Sequence, residues 1–330
     1  MNILVVTLSN FGDVIMTTHV IMALRRKFPQ ARITAVVGPR AQSVLQRSPD
    51  IYRIVIYDKK ASLWKKFKFI KSLRRVRYDR VVDLRNTLIP FLVSCRKRTP
   101  VFRKFKKRNM RERNMELLEM LDEETPFFPA EEGAEPLMTP FRFFNEVDEV
   151  FSLCSLDSNK IHEKSGWIVV APGASNECKR WPAKHFVEVI KQLNQQTGKR
   201  VLLVGNLSER PVAESIEAEL PGITSVFCGD MILPQTASLI SRASLLISND
   251  SANMHLGFEL GTPTVGIFGP TDHERYGYKG AKFRIAREDA SKCPCRSDEL
   301  SPAERSCFHG LKPEKVIELS LELLNAPKAV

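Results

Sequence analysis

No window of this sequence approaches the run of about 18–20 apolar residues that a membrane-spanning helix requires. The opening stretch has no basic segment before its apolar run and no Ala-x-Ala site, so no secretory leader is expected and a cytoplasmic location is. Cysteine is sparse and odd in number: Cys95, Cys154, Cys178, Cys228, Cys293, Cys295 and Cys307. That is not the dense, even set of a disulfide-stapled secreted fold. No G-x-G-x-x-G is present, which weighs against a dinucleotide dehydrogenase, and no G-x-x-x-x-G-K-[ST], which weighs against a P-loop enzyme. The G-x-S-x-G elbow of the α/β hydrolases is absent as well. What remains is an ordinary globular composition, 43% hydrophobic and 27% charged over 330 residues. At roughly 100–200 residues per domain, that length accommodates two domains with sizeable cores.

The charge is unevenly distributed. The formal net charge is +12, yet Lys59–Arg113 alone holds 21 Lys or Arg against Asp79, Asp83 and Glu112. The rest of the chain is therefore net negative. A field of that size attracts polyanions or an anionic surface: nucleic acid, acidic phospholipid or a phosphorylated substrate. It is also compatible with a merely solvated face.

Strand and helix patterns alternate through both halves. Ile3–Leu8, Arg32–Val37, Ile54–Tyr57 and Arg80–Leu84 read as strands. Helical patterns run over Val14–Phe28, from Pro39 to Arg47 and around Leu63–Arg75. Residues 96–145 fit regular elements poorly and read as irregular or helical insertions. The alternation restarts with strands at Trp167–Ala171, Arg200–Val204, Thr224–Phe227, Leu245–Ser248 and Thr264–Phe268. Helical patterns follow them at Pro182–Thr197, Glu209–Leu220, Leu233–Arg242 and Asn253–Leu260, with an amphipathic tail at Lys312–Leu324. This is the grammar of βαβ units and doubly wound parallel sheets. The expected division is a first domain over 1–158, a second over 159–311, a linker near Leu153–Lys164, and a terminal helix over 312–330 able to pack back on the first domain. Two such domains in tandem are expected to face one another across a cleft at their strand C-termini.

The loops after the strands carry the polar residues. Pro172-Gly173-Ala174-Ser175 leads to Lys179-Arg180-Trp181-Pro182, where small residues, free N–H groups and adjacent cations suit a phosphate. Asn249-Asp250-Ser251-Ala252-Asn253-Met254-His255 opens a helix, with His255 in its first turn. Gly12-Asp13 stands at the first strand-to-helix junction, where an Asp is either a helix cap or a carboxylate able to take a proton from a hydroxyl. Each piece alone also fits a plain turn or cap. Cys293-Pro294-Cys295 with Cys307 and His309 lacks the usual C-x₂-C spacing, and no metal site is expected there.

The ordered set, with Gly12-Asp13-Val14-Ile15-Met16-Thr17-Thr18 in front and Phe268-Gly269-Pro270-Thr271-Asp272 behind, resembles the ADP-heptose:lipopolysaccharide heptosyltransferases, glycosyltransferase family 9. The resemblance runs from Met1 to about residue 320. It implies the GT-B fold of two Rossmann-like domains and the inverting transfer of a heptose from ADP-heptose to the lipopolysaccharide inner core. It places the catalytic base on Asp13, with Gly12 and Thr17 on the acceptor side. Lys179 becomes the phosphate-binding and catalytic cation. Ser175, Asp250, Ser251, Ala252 and His255 fall against the donor, and Glu209 and Met231 by looser register near its nucleoside. No cofactor or metal is implied, and the sequence has no Asp-x-Asp motif. Ala252 stands where the family usually has Gly, Ser251 where it has Thr, and His19 where it has Pro. The implied partners are an ADP-sugar, a phosphorylated lipid acceptor and, through residues 59–113, the anionic inner face of the inner membrane. A monomer without a nucleic-acid partner is expected. A related transferase using another nucleotide sugar, a sugar-nucleotide 2-epimerase, and a non-catalytic RNA- or membrane-binding protein remain as alternatives.

Overall fold

The computed structural model describes residues 1–7, 10–101, 103–121, 140–159, 161, 166–288 and 307–327. The chain divides into two units, Met1–Asn145 and Glu146–Val330. The division precedes helix Glu146–Ser158, which the sequence pattern had assigned to the first domain and its linker.

The first unit runs β1 (Asn2–Val6), α1 (Phe11–Ile15), α2 (Thr18–Lys27), β2 (Arg32–Val37), α3 (Gln42–Leu45), β3 (Arg53–Ile56), α4 (Leu63–Arg74), β4 (Tyr78–Asp83), α5 (Ile89–Leu92), β5 (Cys95–Arg98) and α6 (Met110–Leu121). Its strands form one sheet in the order β3-β2-β1-β4-β5, with every pair parallel. Ile3, Leu4, Val5 and Val6 on the central strand are wholly buried. A parallel sheet covered on both faces requires such a continuous apolar run.

The continuous helix expected over Val14–Phe28 is broken. Met16 and Thr17 separate α1 from α2, and the hydroxyls of Thr17 and Thr18 donate to the Val14 and Ile15 carbonyls at 2.7 Å. Side-chain hydroxyls that bond nearby carbonyls compete with the helical ladder, and here they turn the chain. Helix α6 secures this corner: Asn114 donates to the Met16 carbonyl, and the His19 ring lies 3.1 Å from the Arg111 carbonyl. Helix α6 falls in the stretch read as irregular or helical insertions, and β5, which overlaps its start, is a strand that reading did not contain. The sequence Cys-Arg-Lys-Arg of β5 reads as surface because it is an edge strand, paired to β4 alone.

The second unit runs α7 (Glu146–Ser158), β6 (Trp167–Ala171), α8 (Ala183–Thr197), β7 (Arg200–Leu203), α9 (Arg210–Glu219), β8 (Thr224–Val226), α10 (Leu233–Ser241), β9 (Leu245–Asn249), α11 (Ala252–Leu260), β10 (Thr264–Phe268), α12 (His273–Tyr276), β11 (Phe283–Arg287) and α13 (Pro313–Asn325). The sheet order is β11-β10-β9-β6-β7-β8, again wholly parallel. Counted from β6, this is the 3-2-1-4-5-6 order of the dinucleotide-type Rossmann sheet.

Helix α8 shows why the elements form where they do. Phe186, Val189, Ile190 and Leu193 recur at helical spacing and are buried against the sheet, and Gly198 at φ 66° ends the helix in the left-handed conformation. Each such side chain contributes about 1.5–3 kcal/mol of transfer free energy. Helix α7 was harder to recognise because two of its three buried residues are polar. Asp148, Ser152 and Leu156 face inward, and Ser152 donates to the Gln235 carbonyl on α10 at 3.0 Å. Helix α13 packs on α8 and the β9–β11 side of its own unit, burying Val316, Leu319 and Leu323.

Candidate functional site

In open parallel sheets the ligand crevice lies beyond the strand C-termini, where the strand order reverses. That point falls between β1 and β4 in the first unit and between β6 and β9 in the second. The residues singled out by sequence lie on the loops that leave these strands.

In the first unit, Gly12 and Asp13 sit half-buried in the first turn of α1. A carboxylate is favoured there by the helix dipole. The Asp13 carboxylate accepts from the Asn10 side chain at 3.3 Å and lies 3.4 Å from a guanidinium nitrogen of Arg85. Arg85 leaves the end of β4 and was not among the residues expected from sequence. Buried Asp83 builds its loop: one carboxylate oxygen accepts the Arg85 N–H at 2.9 Å and the other the Thr87 N–H and hydroxyl. Asn86 takes φ 54°, a left-handed position that Asn tolerates. A cation directly after the fourth strand, opposite the loop of the first, was the available signal. Thr17, expected on the acceptor side, is buried with its hydroxyl donated to the Val14 carbonyl; its observed part is to shape the α1–α2 corner.

In the second unit, Lys179 ends a short 3₁₀ turn, Glu177–Lys179, that Asn176 caps. Its ammonium lies 2.7 Å from the Asp250 carboxylate, which is buried at the end of β9. The other Asp250 oxygen is 4.0 Å from Nε2 of buried His255. Ser251 precedes α11, with its hydroxyl 3.1 Å from that of Ser248, and Ala252 is the first residue of that helix. The two loops are tied by Asn249, which accepts the Trp181 N–H at 3.1 Å and donates to the Pro172 carbonyl at 2.7 Å. Trp181 is buried and donates its indole N–H to the Leu311 carbonyl. Asn249 belongs to the sequence motif, yet its bracing role depends on a contact between loops distant in sequence.

Glu209 is also brought into place. Its carboxylate accepts the Asn206 N–H at 2.8 Å in a reciprocal capping box. The backbones of Gly173 and Gly205 press against it, and a Cβ at Gly173 would fall 2.2 Å from the Glu209 carboxyl carbon. Only glycine permits that approach at the ends of β6 and β7. Ser175 is exposed on the β6 loop, and Met231 is half-buried on a separate loop between β8 and α10. Behind Glu209, burial pushes the Cys228 thiol up to about 12, so this cysteine is an inert packing residue. Cys293 and Cys295 lie outside the described residues. Among those described, no group of three or more His, Cys, Asp or Glu side chains is arranged to hold a metal ion.

Comparison with known proteins identifies the family and the fold. The profile of glycosyltransferase family 9 (heptosyltransferase) matches residues 66–304. A curated relative, lipopolysaccharide heptosyltransferase 2 of Escherichia coli K12, is 25% identical over 346 aligned positions, covering 96% of this chain and 97% of the relative. The solved structure of E. coli ADP-heptose lps heptosyltransferase II superposes with a TM-score of 0.75 at 24% identity over 98% of each chain. A glycosyl transferase family 9 structure from Veillonella parvula gives 0.78 at 21% identity, covering 98% of this chain and 97% of that one. The shared architecture is that of two Rossmann-like domains, the GT-B class. The chain belongs to glycosyltransferase family 9, the heptosyltransferase family.

Proposed function

We propose that this enzyme transfers a heptose from ADP-heptose to the inner core of lipopolysaccharide, with inversion at the anomeric carbon. The names of the curated relative and of the solved homologue support the sugar and the acceptor. The observation that carries the donor assignment is the Lys179–Asp250 pair beside the first turn of α11. An ammonium next to a helix N-terminus suits a diphosphate.

In the proposed step an acceptor hydroxyl oxygen bonds to the anomeric carbon as the bond from that carbon to the phosphate oxygen breaks. The electron pair leaves on ADP, and the hydroxyl proton passes to the Asp13 carboxylate. Lys179 and the N–H groups of Ser251 and Ala252 stabilise the charge growing on the leaving diphosphate. His255 and Asp250 hold Lys179 and the sugar end of the donor, and Ser175 lies near the phosphates. Glu209, braced by Gly173 and Gly205, borders the nucleoside with Met231. The reaction is proposed to need no metal, since these groups supply the positive field. The acceptor is a phosphorylated lipid, reached by a monomer that rests peripherally on the cytoplasmic face of the inner membrane. Among the described residues, no helix is long and apolar enough to cross it.

A thermal-shift panel of ADP-, UDP- and GDP-linked compounds tests the donor. A ligand at a hundredfold excess over Kd stabilises by about 2.7 kcal/mol. Stabilisation by ADP compounds alone, followed by turnover of ADP-heptose to the α-linked or β-linked product opposite in configuration to the donor, is expected. Preference for UDP or GDP removes the heptose assignment, and a rate abolished by EDTA removes the metal-free step.

A further inference from the structure

The basic stretch of the first unit carries a second feature that neither charge nor transfer chemistry explains. On α4, Phe69 and Leu73 turn into the core with Leu4, Val6 and Val81. At about 100° per residue, Trp64 and Phe67 then fall on the opposite face, with Leu63 on the flank beside them. Leu63, Trp64 and Phe67 are 84%, 65% and 57% exposed. On the neighbouring short helix α5, Leu88 just before it and Phe91 are 71% and 54% exposed. The two elements are joined: Arg74 donates to the Leu92 carbonyl at 2.7 Å, and Lys66 and Ile70 line a cavity of about 500 Å³ with Ile89 and Leu92. The exposed apolar side chains are therefore carried by two adjoining elements.

The chemistry around them is of one sign. Residues 59–78 contain no acid, and α4 alone carries Lys65, Lys66, Lys68, Lys71 and Arg74. Apolar side chains ringed by long cationic ones, with a Trp among them, are what an anionic lipid interface selects. The rings and leucines enter the acyl boundary, while Lys and Arg reach back to the phosphates. Stacking on nucleic-acid bases fits less well. The Trp64 and Phe67 rings already stack on one another at 6.0 Å and 18°, and Lys68 lies over the Trp64 ring.

We propose that Leu63, Trp64 and Phe67 of α4, with Leu88 and Phe91 of the α5 region, form an edge that inserts into the interface of an anionic bilayer. This deepens the reading of the acceptor as a lipid and rests on it for purpose. The same cavity is lined by Arg85, the partner of Asp13, so one residue links the inserting edge to the proposed base.

The chain supplies its own probe. Of its three tryptophans, Trp167 and Trp181 are about 1% exposed, so a change in emission on adding vesicles reports Trp64. The experiment adds vesicles of phosphatidylglycerol and phosphatidylethanolamine to the full-length protein, with no donor or acceptor present. A blue shift and quenching by bromine-labelled acyl chains are expected, both lost in Trp64→Phe. Leu63→Ser/Phe67→Ser should weaken vesicle binding at least about tenfold while thermal stability and transfer to an acyl-free acceptor stay unchanged. Sedimentation with vesicles while Trp64 emission is unmoved would overturn insertion and leave only surface attraction. Binding of poly(U) in place of vesicles would overturn it in favour of RNA. An equal fall in transfer to the acyl-free acceptor would place these residues in the site instead. Because insertion is read without substrates, it stands or falls separately from the transfer reaction.

Discussion

In the first unit the carboxylate follows the first strand and the cation the fourth, Asp13 opposite Arg85. In the second unit the order is reversed, with the cation of Lys179 after the first strand and the carboxylate of Asp250 after the fourth. Both pairs span the point where the strand order reverses, so the same sheet topology has been fitted with opposite wiring. The pairs differ in tightness as well as polarity. Asp13 and Arg85 stand 3.4 Å apart with the carboxylate 22% exposed, whereas Lys179 and Asp250 are 2.7 Å apart with the carboxylate 6% exposed. A group that must meet a hydroxyl has to stay reachable. A group that only holds a lysine is better buried, because a shielded charge pair is less screened. The looser pair is therefore suited to a carboxylate that exchanges a proton, and the tighter one to holding a lysine in place against a diphosphate.

This contrast is open to direct attack. Asp13→Asn should lower kcat by about 10²–10⁴ with the melting temperature unchanged. Near-normal turnover would remove Asp13 from the reaction. In the same series, Arg85→Ala should cost about tenfold in kcat with KM for the donor unchanged, and Arg85→Lys should recover part of the loss, as expected of a positioning residue. Lys179→Ala should behave differently. It leaves a buried carboxylate without its cation, so stability falls by about 1–3 kcal/mol while donor affinity drops. Calorimetry on the free enzyme and ADP titration separate the two effects. Lys179→Ala/Asp250→Asn should return much of the stability but none of the affinity. If Asp13→Asn lowers stability as much as Lys179→Ala does, the contrast between the two pairs is wrong.

The alternation of strands and helices was legible because parallel strands buried on both faces are unbroken apolar runs, as in Ile168–Val170 and Leu245–Ile247. The site loops were legible as an ordered series of motifs. Of what was not legible, three features have a clear physical reason. Strand β5 is basic and at an edge, so nothing in its composition marks it. Helix α7 turns Asp148 and Ser152 inward, which erases the apolar period that would announce a helix. Arg85 has no motif of its own. Its importance comes from lying opposite Asp13 across β1 and β4, a relation fixed by sheet order and not by sequence spacing.

The smallest expected effect distinguishes the units by pH. The loop that carries Lys179 is tied down by Trp181, and His185 stacks on that indole with ring centroids 5.1 Å apart. Burial first and nearby Lys184 second push the His185 imidazole below its ordinary value. Folding therefore disfavours its protonation, and the unfolded chain binds the proton more readily. Stability should be fully present above pH about 6.5 and should decline as the pH falls from there toward the depressed folded-state value. His185→Phe keeps an aromatic ring beside Trp181 and removes the titration. Melting curves between pH 7.5 and 5 should show a smaller loss for the variant than for the parent protein, the difference reporting His185 alone. Equal losses would mean that the histidine is solvated in solution and that the Trp181 brace holding Lys179 is not sensitive to pH.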